Sequence, residues 1–320
     1  MEARSKPGII FVVGCTAAGK GALGRALAEQ FGAEVLSVDS MKVYRHMDIG
    51  TAKPDITIRQ KIPHHLIDVV DPSESFSAGR FVERAQPAIH DIHSRGRLVF
   101  AIGGTVLYLK ALTEGLFEGP PADPEFRRQL QARADEIGSE KLHAELEKVD
   151  PATAARLHRN DLKRIVRALE VHHLTGKPIS ELQTQFGRLR TDYDMLFLGL
   201  RHPREILNAR INERVRRMVK KGLVDEVQAL YHRQPPLSPQ ARDAVGYAEI
   251  IQHFEGQCSL DEAIEKIKIH THRLAKTQRT WFRQMPHIQW TDVDPGADPQ
   301  SFLPAFQDRI RSWLDTPAGK

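Results

Sequence analysis

Residues 14–21 read Gly14-Cys15-Thr16-Ala17-Ala18-Gly19-Lys20-Gly21. This is the spacing of a phosphate-cradling loop, G-x-x-x-x-G-K-[ST], with its final hydroxyl residue replaced by glycine. Such a loop turns backbone N–H groups toward a phosphate chain at a helix N-terminus, adds a lysine ammonium, and ordinarily gives a Ser or Thr hydroxyl to a Mg²⁺ ion. Here the cradle and the charge are present and the metal-side hydroxyl is not. Phosphate binding is expected, and the metal ligand stays unassigned. Two further places carry residues fit for chemistry: Asp39, a carboxylate after an apolar run, and Gly103-Gly104-Thr105, a tight segment ending in a hydroxyl. Taken alone, Asp39 reads more readily as a turn cap than as a catalytic group, and Gly-Gly-Thr equally as a turn or a site. His64-His65 places two imidazoles side by side, but neighbours on an extended segment point to opposite sides and do not readily share one ion. Structure or substrate contact is the better reading for them.

These residues need strand ends to hold them. Ile9 to Val13 is a short β-branched apolar run, and Ala22 to Phe31 places Leu23, Leu27 and Phe31 on one helical face, so the loop lies between a strand and a helix as phosphate binding requires. A second strand is expected at Glu34 to Val38, a helix around Phe81 to His93 interrupted at Pro87, and an apolar strand at Leu98 to Ile102. Alternating strand and helix predicts an α/β fold, with a parallel P-loop sheet carrying helices on both faces. Ligands of such sheets bind beyond the carboxyl ends of the strands, so the P-loop, Asp39 and Gly103-Gly104-Thr105 are expected to converge on one crevice.

A Gly-Pro-Pro turn within Glu118 to Asp123 breaks the alternation. From there to about Gln185 the chain reads as helices only, with Asp123-Pro124 and Asp150-Pro151 as start signals and Gly176, then Pro178, as a stop. The apolar run Met195 to Leu200 returns the chain to the sheet. The expected division is a discontinuous core, residues 1–118 and 195–320, and an all-α insertion, residues 119–194. After the return, Leu207, Ile211, Val215 and Val219 form one helical stripe. Arg210, Arg214, Arg217 and Lys221 form another, whose mutual repulsion a phosphate-bearing ligand would offset. Ser259 and Glu262 have capping-box spacing and open a long helix through to Trp281, and Leu303, Phe306, Ile310 and Trp313 predict a last amphipathic helix.

The 320 residues are 41% apolar and 27% charged, ordinary for a globular chain with a sizeable core. Two cysteines, Cys15 and Cys258, exclude a disulfide framework and fit a reducing cytoplasm. No apolar run approaches the ~18 residues of a membrane span. The formal charge is +5, but residues 155–221 alone carry 16 Lys and Arg against 7 Asp and Glu, and residues 266–283 carry 6 and none. That distribution favours a polyanionic partner, with solvated helix faces as the alternative.

Asp39-Ser40-Met41-Lys42-Val43-Tyr44, continuing to Asp48-Ile49-Gly50-Thr51-Ala52-Lys53-Pro54, closely resembles the tRNA dimethylallyltransferases. Further blocks come in the family's order: Pro63 to Asp68, Gly103 to Tyr108, Ala122-Asp123-Pro124 with Arg127, Arg164 to Val171, Arg210 to Val215, Val245-Gly246-Tyr247, and Ala275-Lys276 with Trp281-Phe282-Arg283. The resemblance implies transfer of a dimethylallyl group from dimethylallyl pyrophosphate to N6 of the adenosine just 3′ of a tRNA anticodon, with Mg²⁺ as cofactor. The P-loop, Gly14, Thr16, Ala17, Ala18, Gly19, Lys20 and Gly21, would then hold a pyrophosphate together with Arg214. Asp39 would be the general base and Thr105 would orient the nucleotide. Implied tRNA contacts are Asp39, Ser40, Met41, Lys42, Thr105, Arg127, Lys163, Arg164, Ile165, Val166, Arg167, Asp243, Gly246 and Tyr247. A cytoplasmic monomer away from membranes is expected, its helical insertion gripping the anticodon stem.

The chain departs from this pattern at Gly21 and at four other positions. Cys15 stands where the family has proline, Ala248 where a basic residue comes after Gly-Tyr, and His272 and Thr277 where arginines are usual, although Arg273 and Arg279 lie close by. Two other readings stay open: a catalytically weakened relative that binds tRNA, and a prenyltransferase acting on free adenine nucleotides.

Overall fold

A computed structural model describes residues 6–117, 119–183, 187–294, 296–297 and 299–316. The chain divides into two compact units, one made of Met1–Leu112 with Arg190–Lys320 and the other of Thr113–Leu189. The breaks fall about five residues before the expected boundaries at 118/119 and 194/195. Residue 118 and residues 184–186 lie outside the described residues, as does Pro295.

The first unit is built on six parallel strands, β1 (Gly8–Gly14), β2 (Glu34–Val38), β3 (His64–His65), β4 (Val99–Gly103), β5 (Asp194–Arg201) and β6 (Gln289–Asp292), in the order β3-β2-β4-β1-β5-β6. All seven residues of β1 are buried, because successive side chains enter different cores. Ile9, Phe11 and Val13 pack with the helices Ala78–Ser94 and Tyr247–Phe254, while Ile10 and Val12 pack with Lys20–Gln30 and Leu303–Asp315. A strand covered on both faces has no polar side to show, which is why β1 reads as a continuous apolar run. The α/β expectation, with helices on both faces of a parallel sheet, holds.

One expectation is corrected, and two strands are added. The helix Ala78–Ser94 runs through Pro87 without a break. Phe81, Ala85, Ile89 and Ile92 bury its apolar stripe, whereas Pro87 and Glu83, whose carbonyl loses its helical partner, lie on the exposed side, open to solvent. The edge strands β3 and β6 carry no alternating pattern long enough to announce them; two and four residues pair by register with Val35–Leu36 and Leu198–Arg201.

In the second unit the helices Pro124–Ile137, Ser139–Val149 and Leu162–Thr175 close around Leu130, Leu142, Leu146, Ile165 and Val171. Their ends match the sequence signals. The Asp123 and Asp150 carboxylates accept from backbone N–H groups just past Pro124 and Pro151, and Gly176 ends its helix at φ 68°.

Candidate active site

The site begins at the carboxyl ends of three adjacent strands. Val13 of β1 pairs with Gly103 of β4, and Gly103 pairs with Val38 of β2, so the P-loop, Gly104-Thr105 and Asp39 leave the sheet side by side. Gly103 has to be glycine, since a Cβ there would stand 1.9 Å from the Val38 carbonyl oxygen. The loop itself needs left-handed backbone at Ala17 (φ 63°) and Gly19 (φ 93°) to turn its amides inward.

Four contacts hold the cradle from outside. Arg210 Nε donates to the Ala17 carbonyl at 2.8 Å and His202 Nε2 to that of Ala18 at 2.9 Å. Gln278 Oε1 accepts the Thr16 N–H at 2.8 Å, while its Nε2 donates to Gly104 O, also at 2.8 Å. Lys20 Nζ lies 3.2 Å from the Cys15 carbonyl oxygen. Burial, with Lys42 and Arg214 nearby, lowers its pKa to about 8 against the opposing pull of Asp39.

On the far side of the crevice Asp39 Oδ1 accepts the N–H groups of Met41 (3.0 Å) and Lys42 (3.3 Å), which fixes the turn 39–42. Thr105 Oγ1 accepts from Ser40 N at 3.0 Å and donates to Ser40 Oγ at 3.4 Å, tying that turn to the end of β4. Lys42 and Arg214 are lowered chiefly by burial, and Asp39 opposes the shift in both. One carboxylate thus sits among the cations Lys20, Lys42 and Arg214, a surplus of positive charge suited to an anion.

A family model described as IPP transferase matches residues 42–285. The chain belongs to the IPP transferase family. A "tRNA dimethylallyltransferase 2" of Geotalea uraniireducens is 45% identical over 94% of this chain and 96% of its own length, and a "tRNA dimethylallyltransferase" of Geobacter metallireducens is 47% identical over 92% and 96%. Among solved structures, the tRNA isopentenylpyrophosphate transferase of Bacillus halodurans aligns with a TM-score of 0.71 at 39% identity, over 97% of each chain. A eukaryotic dimethylallyltransferase captured acting on tRNA aligns at 0.77 and 29% identity, over 98% of this chain and 81% of that one.

Within this IPP transferase family chain the arginine stripe divides. Arg210 braces the P-loop and Arg214 enters the crevice, whereas Arg217 and Lys221 remain exposed, Arg217 lying 3.8 Å from Glu213. Tyr247 is fully buried and its hydroxyl donates to Glu226 at 2.6 Å. That carboxylate also accepts the N–H groups of Asp48, Ile49 and Gly50, so Tyr247 and Glu226 hold the 48–50 loop instead of offering a ligand surface. Gly246 is buried as well, with its N–H on Glu249; of this group only Asp243 is exposed. Met41 packs against the core.

In the helical unit Ile165 and Val166 are core residues, which removes them as surface contacts, while Lys163 and Arg164 are exposed. Arg127 grips the buried Glu170 through Nε (2.7 Å) and Nη2 (2.8 Å), and Arg167 joins them at Glu170 Oε2. His64 and His65 are structural: His64 Nδ1–H donates to Ile62 O at 2.6 Å, and His65 Nε2 lies 2.7 Å from Glu34. No group of three metal-ligating side chains occurs among the described residues.

Three residues of the site, Gln278, His202 and Arg25, carry no signal in the sequence. Gln278 gives no signal because a helix interior rarely reveals which polar side chain turns inward. Arg25 belongs to the corner where a P-loop hydroxyl would face a metal: its Nη1 is 3.2 Å from where a Cβ on Gly21 would sit. That corner therefore presents a guanidinium where the side-chain hydroxyl would stand, and a guanidinium does not fit as a Mg²⁺ ligand.

Proposed function

We propose that this chain transfers a dimethylallyl group from dimethylallyl pyrophosphate to the exocyclic N6 of the adenosine just 3′ of a tRNA anticodon, releasing pyrophosphate. The chain is a tRNA dimethylallyltransferase of the IPP transferase family, and the donor, the target base and the residue roles are our reading. The observation that carries them is the register that sets the P-loop, Asp39 and Thr105 on adjacent strand ends.

In this reading the loop amides, Lys20 and Arg214 receive the negative charge that gathers on pyrophosphate as the allylic C–O bond breaks. An adenine N6 amine is a weak nucleophile, its lone pair delocalised into the ring. As the N–C bond forms, the proton leaving N6 passes to Asp39, whose Oδ1 is anchored by the Met41 and Lys42 amides while Oδ2 has no partner among the described residues. Thr105 acts through Ser40, keeping the Asp39 turn aimed across the crevice. Gly21 supplies no ligand to a metal, and Mg²⁺ bound by the pyrophosphate oxygens would neutralise part of the leaving group's charge. The seam of helices Arg204–Lys220 and Leu260–Phe282, lined by Arg204, Arg273, Lys276 and Arg279, and the exposed Lys163 and Arg164 suit a polyanion too large for the crevice alone.

The test incubates purified protein with dimethylallyl pyrophosphate, Mg²⁺ and either unmodified tRNA or adenosine monophosphate, and reads the products by mass spectrometry. A C5H8 increment on one tRNA adenosine and none on the mononucleotide is expected. Modification of the mononucleotide with untouched tRNA would contradict the reading.

A further inference from the structure

The P-loop of this chain ends in glycine, and the space beside that glycine is occupied by a cation. Arg25 stands four residues after Gly21, hence over the same face of the helix Lys20–Gln30. It brings Nη1 to 3.2 Å from the point where a side chain at 21 would start, the nearest approach to that point from outside the adjoining residues and the helix's own backbone. Arg25 is only half-exposed, and among the described residues no acceptor hydrogen-bonds its guanidinium. The acid nearest to it in electrostatic influence, Asp55, is engaged in capping the helix Ile56–Lys61 through the Ile58 N–H. Lys42, on the crevice side, feels Arg25 as a like charge. A partly desolvated guanidinium beside like charge and without an acceptor is unfavourable alone and is relieved by an anion.

A hydroxyl at position 21 would be a metal ligand, and an arginine cannot be one, because it carries donors only. What it shares with Mg²⁺ is the sign of its charge. We propose that Arg25 contacts the pyrophosphate at the corner vacated by the P-loop hydroxyl, so that donor binding in this chain depends less on Mg²⁺ than it would with a hydroxyl at position 21. The proposal rests on the P-loop being the pyrophosphate site, and its test separates the two claims.

Inorganic pyrophosphate is titrated calorimetrically into the wild-type protein and into Arg25→Gln, Arg25→Lys, Gly21→Thr and Lys20→Ala, in EDTA and in Mg²⁺. Arg25→Gln should weaken binding about tenfold or more in EDTA, the worth of a charge-assisted contact, and less in Mg²⁺. Arg25→Lys should fall in between, since it keeps the charge but loses the fork. Gly21→Thr should displace the guanidinium and widen the ratio of affinities between Mg²⁺ and EDTA. If Lys20→Ala loses binding while both Arg25 variants match wild type in both media, Arg25 plays no part and the P-loop reading survives. If Lys20→Ala binds as wild type does, the P-loop reading itself fails. Should Arg25→Gln not fold, Arg25→Lys against wild type in EDTA decides, and equal affinities overturn the proposal.

Discussion

Lys20 sits between like charges and is charged only up to a pH near 8 in the free protein. Bound pyrophosphate favours the ammonium form, so above about 8 binding must be accompanied by proton uptake and should weaken by up to roughly tenfold per pH unit. Calorimetry of pyrophosphate binding across pH 7 to 9.5, compared with Lys20→Arg, checks this: the variant, with a much higher pKa, should lose the break near 8. Much of this site was visible as letters. Gly14 to Lys20 stand out by their spacing alone, whereas Asp39, Thr105 and Arg214 stand out only as parts of the family's ordered blocks. Gln278 and Arg25 do not stand out, since their work depends on where a helix turns them. Tyr247, Ile165 and Val166 show the converse: they belong to a recognisable pattern whose side chains the fold spends on packing.

At the scale of elements, Gln278 joins two of them. It ties the P-loop at Thr16 to the end of β4 at Gly104, from a helix more than 170 residues away in sequence from either. Gln278→Leu should cost about tenfold in kcat/KM for the pyrophosphate donor, from two lost hydrogen bonds and a loosened cradle, with a small change in melting temperature. Steady-state kinetics beside thermal unfolding separate this from general destabilisation. The β2 edge carries its own ionic device. Buried Glu34 takes hydrogen bonds from Arg95, Arg97 and His65, and Arg95 above all, with His65, holds its carboxyl down at about 2, below the ordinary 4.5. Between those values the unfolded chain binds more protons than the folded one, so acid favours unfolding there. The stability advantage of wild type over Glu34→Gln, measured by urea unfolding, should therefore shrink as pH falls from 6 to 3. The strands β1, β2, β4 and β5 were legible because burial on both faces demands apolar runs. The edge strands β3 and β6 were not, because so few residues of each pair with the sheet.

For the whole molecule the question is how a modest net charge serves a large polyanion. The charge is distributed unevenly: exposed cations such as Lys163 are available, whereas Arg127 is committed to the buried Glu170. Lys163→Ala should weaken tRNA binding and reduce the slope of log affinity against log salt by about one. Arg127→Ala should instead lower the melting temperature of the helical unit, because it leaves a buried carboxylate short of a partner. The helical unit was recognisable from its caps, and its C-terminal end comes a few residues early because strand β5 and its approach belong to the sheet.

The proposed chemistry turns on Asp39 facing a pyrophosphate-bearing P-loop across one crevice. Single-turnover transfer from dimethylallyl pyrophosphate to unmodified tRNA, by wild type and by Asp39→Asn, tests it most directly. Asp39→Asn should bind tRNA and pyrophosphate nearly as wild type does and transfer the dimethylallyl group about 10² to 10⁴ times more slowly, the usual worth of a positioned general base. Transfer by Asp39→Asn at the wild-type rate would contradict it.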